Sequence, residues 1–323
     1  MDPRHERPHL DAYIPNLNWM ENLYFGGLDD TQGIAFGVHL KLRPDQQRAE
    51  VRCFIEIQND NCTFGGRYPL GEEFAYPIYT ATCVEPFRHW RLKVDATGWA
   101  FPEVGGMMGL EIGGKTPTTP FGFELDIKQT LANGDWALFQ GQASADSAGH
   151  GHYDTGIAWS GTLRIGERTV RASGLGIRDH SWGPRNFKQM FGVWFVGATY
   201  NEGRNYFAGL CLHDEEGLHG FSYRIDGDKV TLLPRPTMQV LEGTEQPGDF
   251  RKVLVTAENI KLTCNVRKHV LMPLLPERYL SADGFATVDT EQGSSLSYAM
   301  VERGQLYTAA QIDELKTRLG ALS

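Results

Sequence analysis

Hydrophobic and polar residues alternate with a period of two along most of the chain. In residues 33–42, GIAFGVHLKL, the side chains of Ile34, Phe36, Val38 and Leu40 share one face. In residues 50–58, EVRCFIEIQ, Val51, Cys53, Ile55 and Ile57 share one face and Arg52, Phe54 and Glu56 the other. Both segments predict half-buried strands, and the polar, proline-containing connection 43–49 makes them antiparallel neighbours. The same alternation predicts strands within 74–86, 89–95, 121–130 and 160–177, the last folded into a hairpin at Gly166-Glu167. It continues through 191–200, 205–214, 218–226, 228–234 and 249–266, with polar turns at 201–204, 214–217 and 226–229. Only residues 308–323 change period. There Ile312, Leu315 and Leu319 fall at i, i+3 and i+7, Glu314 and Arg318 can pair, and Thr308 supplies an N-cap, which predicts a short C-terminal helix lying on a sheet. The longer connections, 64–73, 102–119, 141–151 and 267–284, are read as rims of a binding mouth.

A chain of 323 residues exceeds what one compact core usually holds, and 37 glycines with 11% aromatics suit many short strands and turns. The fold predicted is all-β: two tandem antiparallel β-barrel or sandwich domains, residues 1–186 and 187–323, with the short terminal helix. A net charge of −9 offers no basic footprint for nucleic acid or for an anionic membrane surface. The amino terminus lacks the pattern of a signal peptide, and nowhere do about 18 apolar residues run together, so no membrane span is expected. Five cysteines, Cys53, Cys62, Cys83, Cys211 and Cys264, include no C-x-x-C pair and are read as buried thiols of a cytoplasmic protein. The stretch ENLYFGG at 21–27, which resembles a protease-tag linker, is kept as native sequence because no polyhistidine precedes it.

Common site signatures are missing from the sequence. There is no G-x-x-x-x-G-K-[ST], no G-x-G-x-x-G opening a helix and no G-x-S-x-G, so no nucleotide cofactor is expected. His150 and His152 form an H-x-H, yet no third ligand follows at a fixed spacing; a polar, histidine-rich loop is the reading preferred, and no metal is assigned.

The densest chemistry lies in residues 174–185, GLGIRDHSWGPR. An extended backbone would place Arg178, His180 and Trp182 on one face and Asp179 and Ser181 on the other, until Gly183-Pro184 turns the chain. His180 starts near neutral pKa, Asp179 could be raised by desolvation or kept ionised by Arg178 or Arg185, and Trp182 offers a π face to a developing cation. The competing reading is a strand end locked by an Asp179–arginine pair. Tyr153 and Asp154, in GHYDTG, could orient a base or substrate hydroxyl, or simply make a turn. Trp194 alternates with Gly192 and Val196 on one face, against Val193 and Phe195 on the other, and is either core or ligand wall.

The stretch SGTLRIGERTVRASGLGIRDHSWGPRNF, with HYDTGIAWSG before it, resembles the AttH-like, lipocalin-fold superfamily that includes bacterial carotenoid hydratases, fungal kievitone hydratase and fungal Diels–Alderases, and within it the bacterial branch carrying R-D-H-S-W-G-x-R. The resemblance implies two lipocalin-like domains with a pocket near their junction and no cofactor. The carotenoid hydratases' His-x-Trp pair matches His180-Ser181-Trp182, whereas their Tyr-x-Asp pair is replaced by Phe207-Ala208-Gly209. Asp179, Asp154 or His180 would then have to supply the acid, with Tyr200 and Tyr206 close by. The function expected is a cofactor-independent lyase (hydratase or dehydratase) or isomerase acting on a hydrophobic terpenoid, steroid or polycyclic molecule. Asp179, His180 and Trp182 are the expected catalytic residues; Arg178, Arg185, Tyr153, Asp154, Trp194 and Tyr206 are expected to bind substrate. A pericyclase and a non-catalytic lipid or steroid carrier are the alternatives, and a homodimer is compatible with the sequence.

Overall fold

The computed structural model describes residues 2–101, 106–107, 117–139, 150–185, 191–274, 279–311 and 313, and almost all of them lie in antiparallel strands. The first sheet contains β1 (Trp19–Asp29), β2 (Ile34–Arg43), β3 (Arg48–Ile57), β4 (Asp60–Pro69), β5 (Ala75–Tyr76), β6 (Tyr79–Glu85) and β7 (His89–Phe101). After β8 (Gly106–Met107), which belongs elsewhere, it adds β9 (Thr118–Gln129), β10 (Gly134–Asp135), β11 (Gly151–Ile165) and β12 (Arg168–Pro184). Because β9 pairs with both β7 and β11, the path β11-β12-β1-β2-β3-β4-β7-β9 returns to its start and closes an eight-stranded barrel. Closure leaves no free edge along that ring and encloses an apolar interior.

The second sheet contains β13 (Gly192–Tyr200), β14 (Asn205–Asp214), β15 (Gly217–Asp226), β16 (Lys229–Leu233), β17 (Thr237–Gly243), β18 (Phe250–Ala257), β19 (Ile260–Leu274), β20 (Tyr279–Thr290), β21 (Gly293–Ser294) and β22 (Tyr298–Leu306). Its order, β16-β15-β14-β13-β22-β20-β19-β18-β17, curls without closing among the described residues. β8 crosses over from the first half of the chain to pair in parallel with Val270 and Leu271 of β19. The expected domain boundary at 186/187 falls outside the described residues.

Three apolar layers hold the molecule together. The barrel interior takes Phe36, Val38, Leu40, Val51, Cys53 and Ile55, the face that alternation assigned. The second curl encloses Val196, Ala198, Phe207, Val253 and Leu262. Between the two sheets lie Tyr24, Ala35, Phe54 and Ile177 from the barrel and Phe195, Tyr206, Phe285 and Tyr298 from the second sheet. This middle layer corrects the half-buried reading of 33–42 and 50–58. Phe54, on the supposedly polar face, is fully buried against Phe285 at a ring separation of 5.5 Å.

Several connections proved to be strand. Residues 64–69 continue β4, with Gly65 and Gly66 paired to Arg52 and Val51, and most of 267–284 belongs to β19 and β20. Segment 249–266 is not one strand but two, broken after Ala257. Gly183-Pro184 does not turn the chain: β12 stays paired to β1 as far as Pro184 opposite Trp19. Residues 102–105, 108–116, 141–149 and 275–278 of the expected rims lie outside the described residues. The Gly166-Glu167 hairpin is present, with Gly166 in the left-handed region at φ 58°. The C-terminal helix begins after Thr308, whose Oγ1 accepts from Gln311 N at 3.2 Å while Gln311 Oε1 accepts from Thr308 N at 2.9 Å, a reciprocal cap. All five cysteines are free, and Cys83 is half-exposed rather than buried.

Candidate functional site

The register of β11 against β12 fixes which side chains can meet. Tyr153 lies opposite His180, Asp154 opposite Asp179, and Gly151 opposite Trp182. Residues directly opposite share a face, so β12 carries two separate clusters, one inside the barrel mouth and one turned toward the second sheet.

Inside the mouth, the segment before β1 acts as a plug. Glu6, in the 3₁₀ turn Pro3–Glu6, reaches into the barrel, where its carboxylate accepts from Arg178 Nη2 at 2.8 Å, Tyr153 Oη at 2.5 Å and Trp90 Nε1 at 2.7 Å. Arg178 is itself buried, with its guanidinium 4.7 Å from the Trp90 ring and 5.0 Å from the Tyr153 ring. Burial works to raise the Glu6 carboxyl, but the Arg178 charge and the Tyr153 hydrogen bond overrule it and hold it below the usual range. His180 is bracketed by Glu21 Oε1 at 2.8 Å from Nε2 and by Tyr153 Oη at 3.1 Å from Nδ1. His9 covers Trp182 in a parallel stack, centroids 3.7 Å apart and planes 7° from parallel. Burial lowers the His180 pKa despite Glu21, so this imidazole is neutral near pH 7.

On the opposite face, Asp154 and Asp179 stand side by side between the sheets. Asp154 is completely buried; Trp136 Nε1 donates to its Oδ2 at 3.4 Å, its Oδ1 lacks a hydrogen-bond partner of normal geometry, and the Tyr206 hydroxyl lies beside it. Burial and the neighbouring Asp179 charge raise the Asp154 pKa well above the carboxylate range, so Asp154 is a neutral acid. Asp179 keeps 16% of its side chain exposed and pairs with His152 Nε2; the Trp136 ring stacks on His152 at 3.5 Å. Arg185 Nη2 donates to Ser181 Oγ at 2.6 Å on the same face. Farther along the junction, burial and mutual repulsion also raise Asp283 beside Glu302.

The nine residues singled out in the sequence therefore fall into three places. Arg178, His180, Trp182 and Tyr153 share the barrel mouth; Asp179, Asp154, Arg185 and Tyr206 share the junction. Asp179 and His180 are thus on opposite faces of one strand and cannot act on the same bond, contrary to expectation. The Trp182 ring is covered by His9 and lies over Gly151, leaving no open π face for substrate. Trp194 joins neither cluster: it packs inside the second curl, 5.1 Å from the Phe250 ring, under Arg303. Glu6, His9, Glu21 and Trp136 were not singled out. A charged Glu21 inside the apolar run WMENLYF was the one local signal; the others depend on long-range packing.

In fold, the chain is similar to a protein assigned as AttH from Nitrosomonas europaea, with TM-score 0.65 and 10% identity over 95% of this chain and 97% of that one. It is also similar to kievitone hydratase from Nectria haematococca, at TM-score 0.53 and 9% identity over 93% of each chain. CghA matches at TM-score 0.52 and 11% identity, over 91% of this chain and 93% of CghA. No curated protein matches the sequence. At such identities the likeness establishes the AttH-like, lipocalin-type fold and nothing about substrate. A family model does match residues 2–303, and the chain belongs to that family, described as a domain of unknown function, DUF7064.

Proposed function

We propose that the protein is a proton-transfer enzyme, a hydro-lyase or isomerase, that acts on a small hydrophobic molecule at the junction of its two sheets. The observation that carries this reading is the Asp154–Asp179 pair, a buried neutral carboxyl directly opposite one that reaches solvent. Two acids whose surroundings differ this strongly are suited to opposite roles. The presence of a hydratase among the proteins of similar fold supports the class without identifying the substrate.

In the hydration direction, the Asp154 carboxyl gives its proton to one carbon of an alkene, and the cation forms at the other carbon. Water adds there, and its surplus proton passes to the Asp179–His152 pair, which connects the site to solvent. Asp154 is reprotonated from that pair, so the net change is one water added. Trp136, held between His152 and the edge-on Phe221 ring, donates its Nε1–H to Asp154 and so positions that carboxyl. Loss of water runs the same steps backwards, and removal of a neighbouring C–H proton in place of water addition gives isomerisation. With five free thiols, we assign the reaction to the cytoplasm. No helix among the described residues is long and apolar enough to cross a membrane.

The test is a panel of terpenoid, steroid and polycyclic alkenes and alcohols incubated with the protein in D₂O, read by mass spectrometry. Deuterium incorporation that disappears in Asp154→Asn supports the proposal. Ligands that bind stoichiometrically and return without deuterium would identify a carrier, and turnover unaffected by Asp154→Asn would sink the acid assignment.

A further inference from the structure

The mechanism above leaves the barrel mouth without a task, although it holds a set of groups with unusual chemistry. We propose that His9, Glu21 and His180 form a binding site for a divalent first-row transition-metal ion of the zinc type, which fastens the N-terminal segment into the barrel.

The donor set is the first argument. One ligand atom from each residue lies within 4.8 Å of the other two, and all three residues are buried. His9 Nδ1 and His180 Nε2 approach the same Glu21 Oε1, at 2.9 and 2.8 Å. Around a tetrahedral ion with bonds of about 2.0–2.2 Å, neighbouring ligand atoms stand roughly 3.3–3.6 Å apart, so shifts of about half an ångström would admit one. Two histidines and one carboxylate, leaving a further coordination position, are a combination that zinc and ferrous ions both accept.

The surroundings give the second argument, because each histidine has a partner at its other nitrogen. His180 Nδ1 lies 3.1 Å from Tyr153 Oη, and His9 Nε2 lies 3.0 Å from His5 Nδ1. Such outer partners fix the tautomer and aim the ligating nitrogen. Glu21 is held as well, its Oε2 accepting from the His9 backbone N at 2.8 Å.

Proton accounting gives the third. Tyr153 has one hydroxyl proton, and its shortest contact with an acceptor is Glu6 Oε1 at 2.5 Å, while Arg178 Nη2 donates to Tyr153 Oη at 2.8 Å. His180 Nδ1 must then be the donor toward Tyr153. That leaves Nε2 as the ring nitrogen turned toward Glu21 Oε1, at 2.8 Å, the side from which it would bind a cation. Glu6 takes up the Arg178 guanidinium, whereas the groups on the Glu21 carboxylate are the two histidines. The three ligands come from the N-terminal segment, β1 and β12, so the ion would add a fastening to pieces already tied by the Glu6–Arg178 ion pair, hydrogen bonds and stacking.

The test uses the full chain, stripped with a chelator, dialysed and titrated with Zn²⁺ alone, with metal content measured by mass spectrometry and Co²⁺ as a visible-absorption probe. The expected result is one tightly held ion per chain and a higher melting temperature with Zn²⁺. Both are lost in His9→Gln and His180→Gln, and Tyr153→Phe weakens binding by about 10- to 100-fold. His9 lies outside every strand, so His9→Gln keeps the test usable even where His180→Gln does not fold. His152→Gln, which alters the junction, should bind like the parent. No retained Zn²⁺ in the parent chain, unchanged binding in His9→Gln, or loss of binding in His152→Gln would each overturn the proposal.

Discussion

Asp154 and Asp179 face each other across the β11–β12 ladder, yet one is sealed between the two sheets and the other keeps a route to solvent. Burial alone disfavours a carboxylate, and a second negative charge alongside disfavours it again, so the sealed member holds its proton.

Asp154→Asn should therefore separate chemistry from stability. The amide keeps an acceptor for Trp136 Nε1 but has no proton to give, and turnover should fall by about 100- to 10,000-fold. For an acid whose folded pKa is raised, the unfolded chain loses its proton first as pH climbs. Parent stability should thus decline by roughly 1.4 kcal/mol per pH unit between the ordinary carboxylate pKa and the raised one. Urea melts across that range should show a flatter curve for Asp154→Asn. Parallel curves would mean that Asp154 is ionised in the folded chain.

The Glu6–Arg178 pair makes a different demand. With 1% of the Arg178 side chain exposed, Glu6→Gln leaves a buried guanidinium without its counter-charge, which should cost about 3–5 kcal/mol in equilibrium unfolding. Adding Arg178→Met should restore most of the loss. The Glu6 pKa is lowered, so the parent's advantage over Glu6→Gln is present above the unfolded carboxylate pKa and fades as pH falls through the folded value. A double variant no more stable than Glu6→Gln would show that the pair does not carry this stability.

Much of this could be read from the chain, and the failures have physical causes. Alternation found β2 and β3 because one face of each fills a barrel of aliphatic side chains. It missed β1, whose residues are buried on both faces, and it underestimated β3 because Phe54 looks polar-side until a second sheet covers it. The motif at 174–185 lies on one strand, β12, with its side chains alternating as read, but a strand has two faces and the sequence does not say what covers either. Glu6 meets Arg178 across 172 positions, a pairing that no local pattern encodes.

Gly151 tests how firmly the mouth is packed. It lies opposite Trp182, and a Cβ at that position would run into the indole ring. Gly151→Ala should push Trp182 from its stack on His9, shift the tryptophan fluorescence and cost about 1–3 kcal/mol. Trp182→Phe placed on the same background should relieve part of that cost. Unchanged fluorescence and melting would show that the ring is free to move.

Trp194 provides the contrast, because its position inside the second curl separates packing from ligand contact. Its ring meets Phe250 edge-on at 5.1 Å, and the Arg303 guanidinium sits 5.2 Å above it. Trp194→Phe keeps an aromatic partner for Phe250 but removes volume and most of the cation–π attraction, so stability should drop by about 1–2 kcal/mol. Turnover on any substrate found in the deuterium screen should stay within about twofold of the parent, because Asp154 and Asp179 lie on the other side of β13. A tenfold loss of turnover with an unaltered melting temperature would move Trp194 into the site.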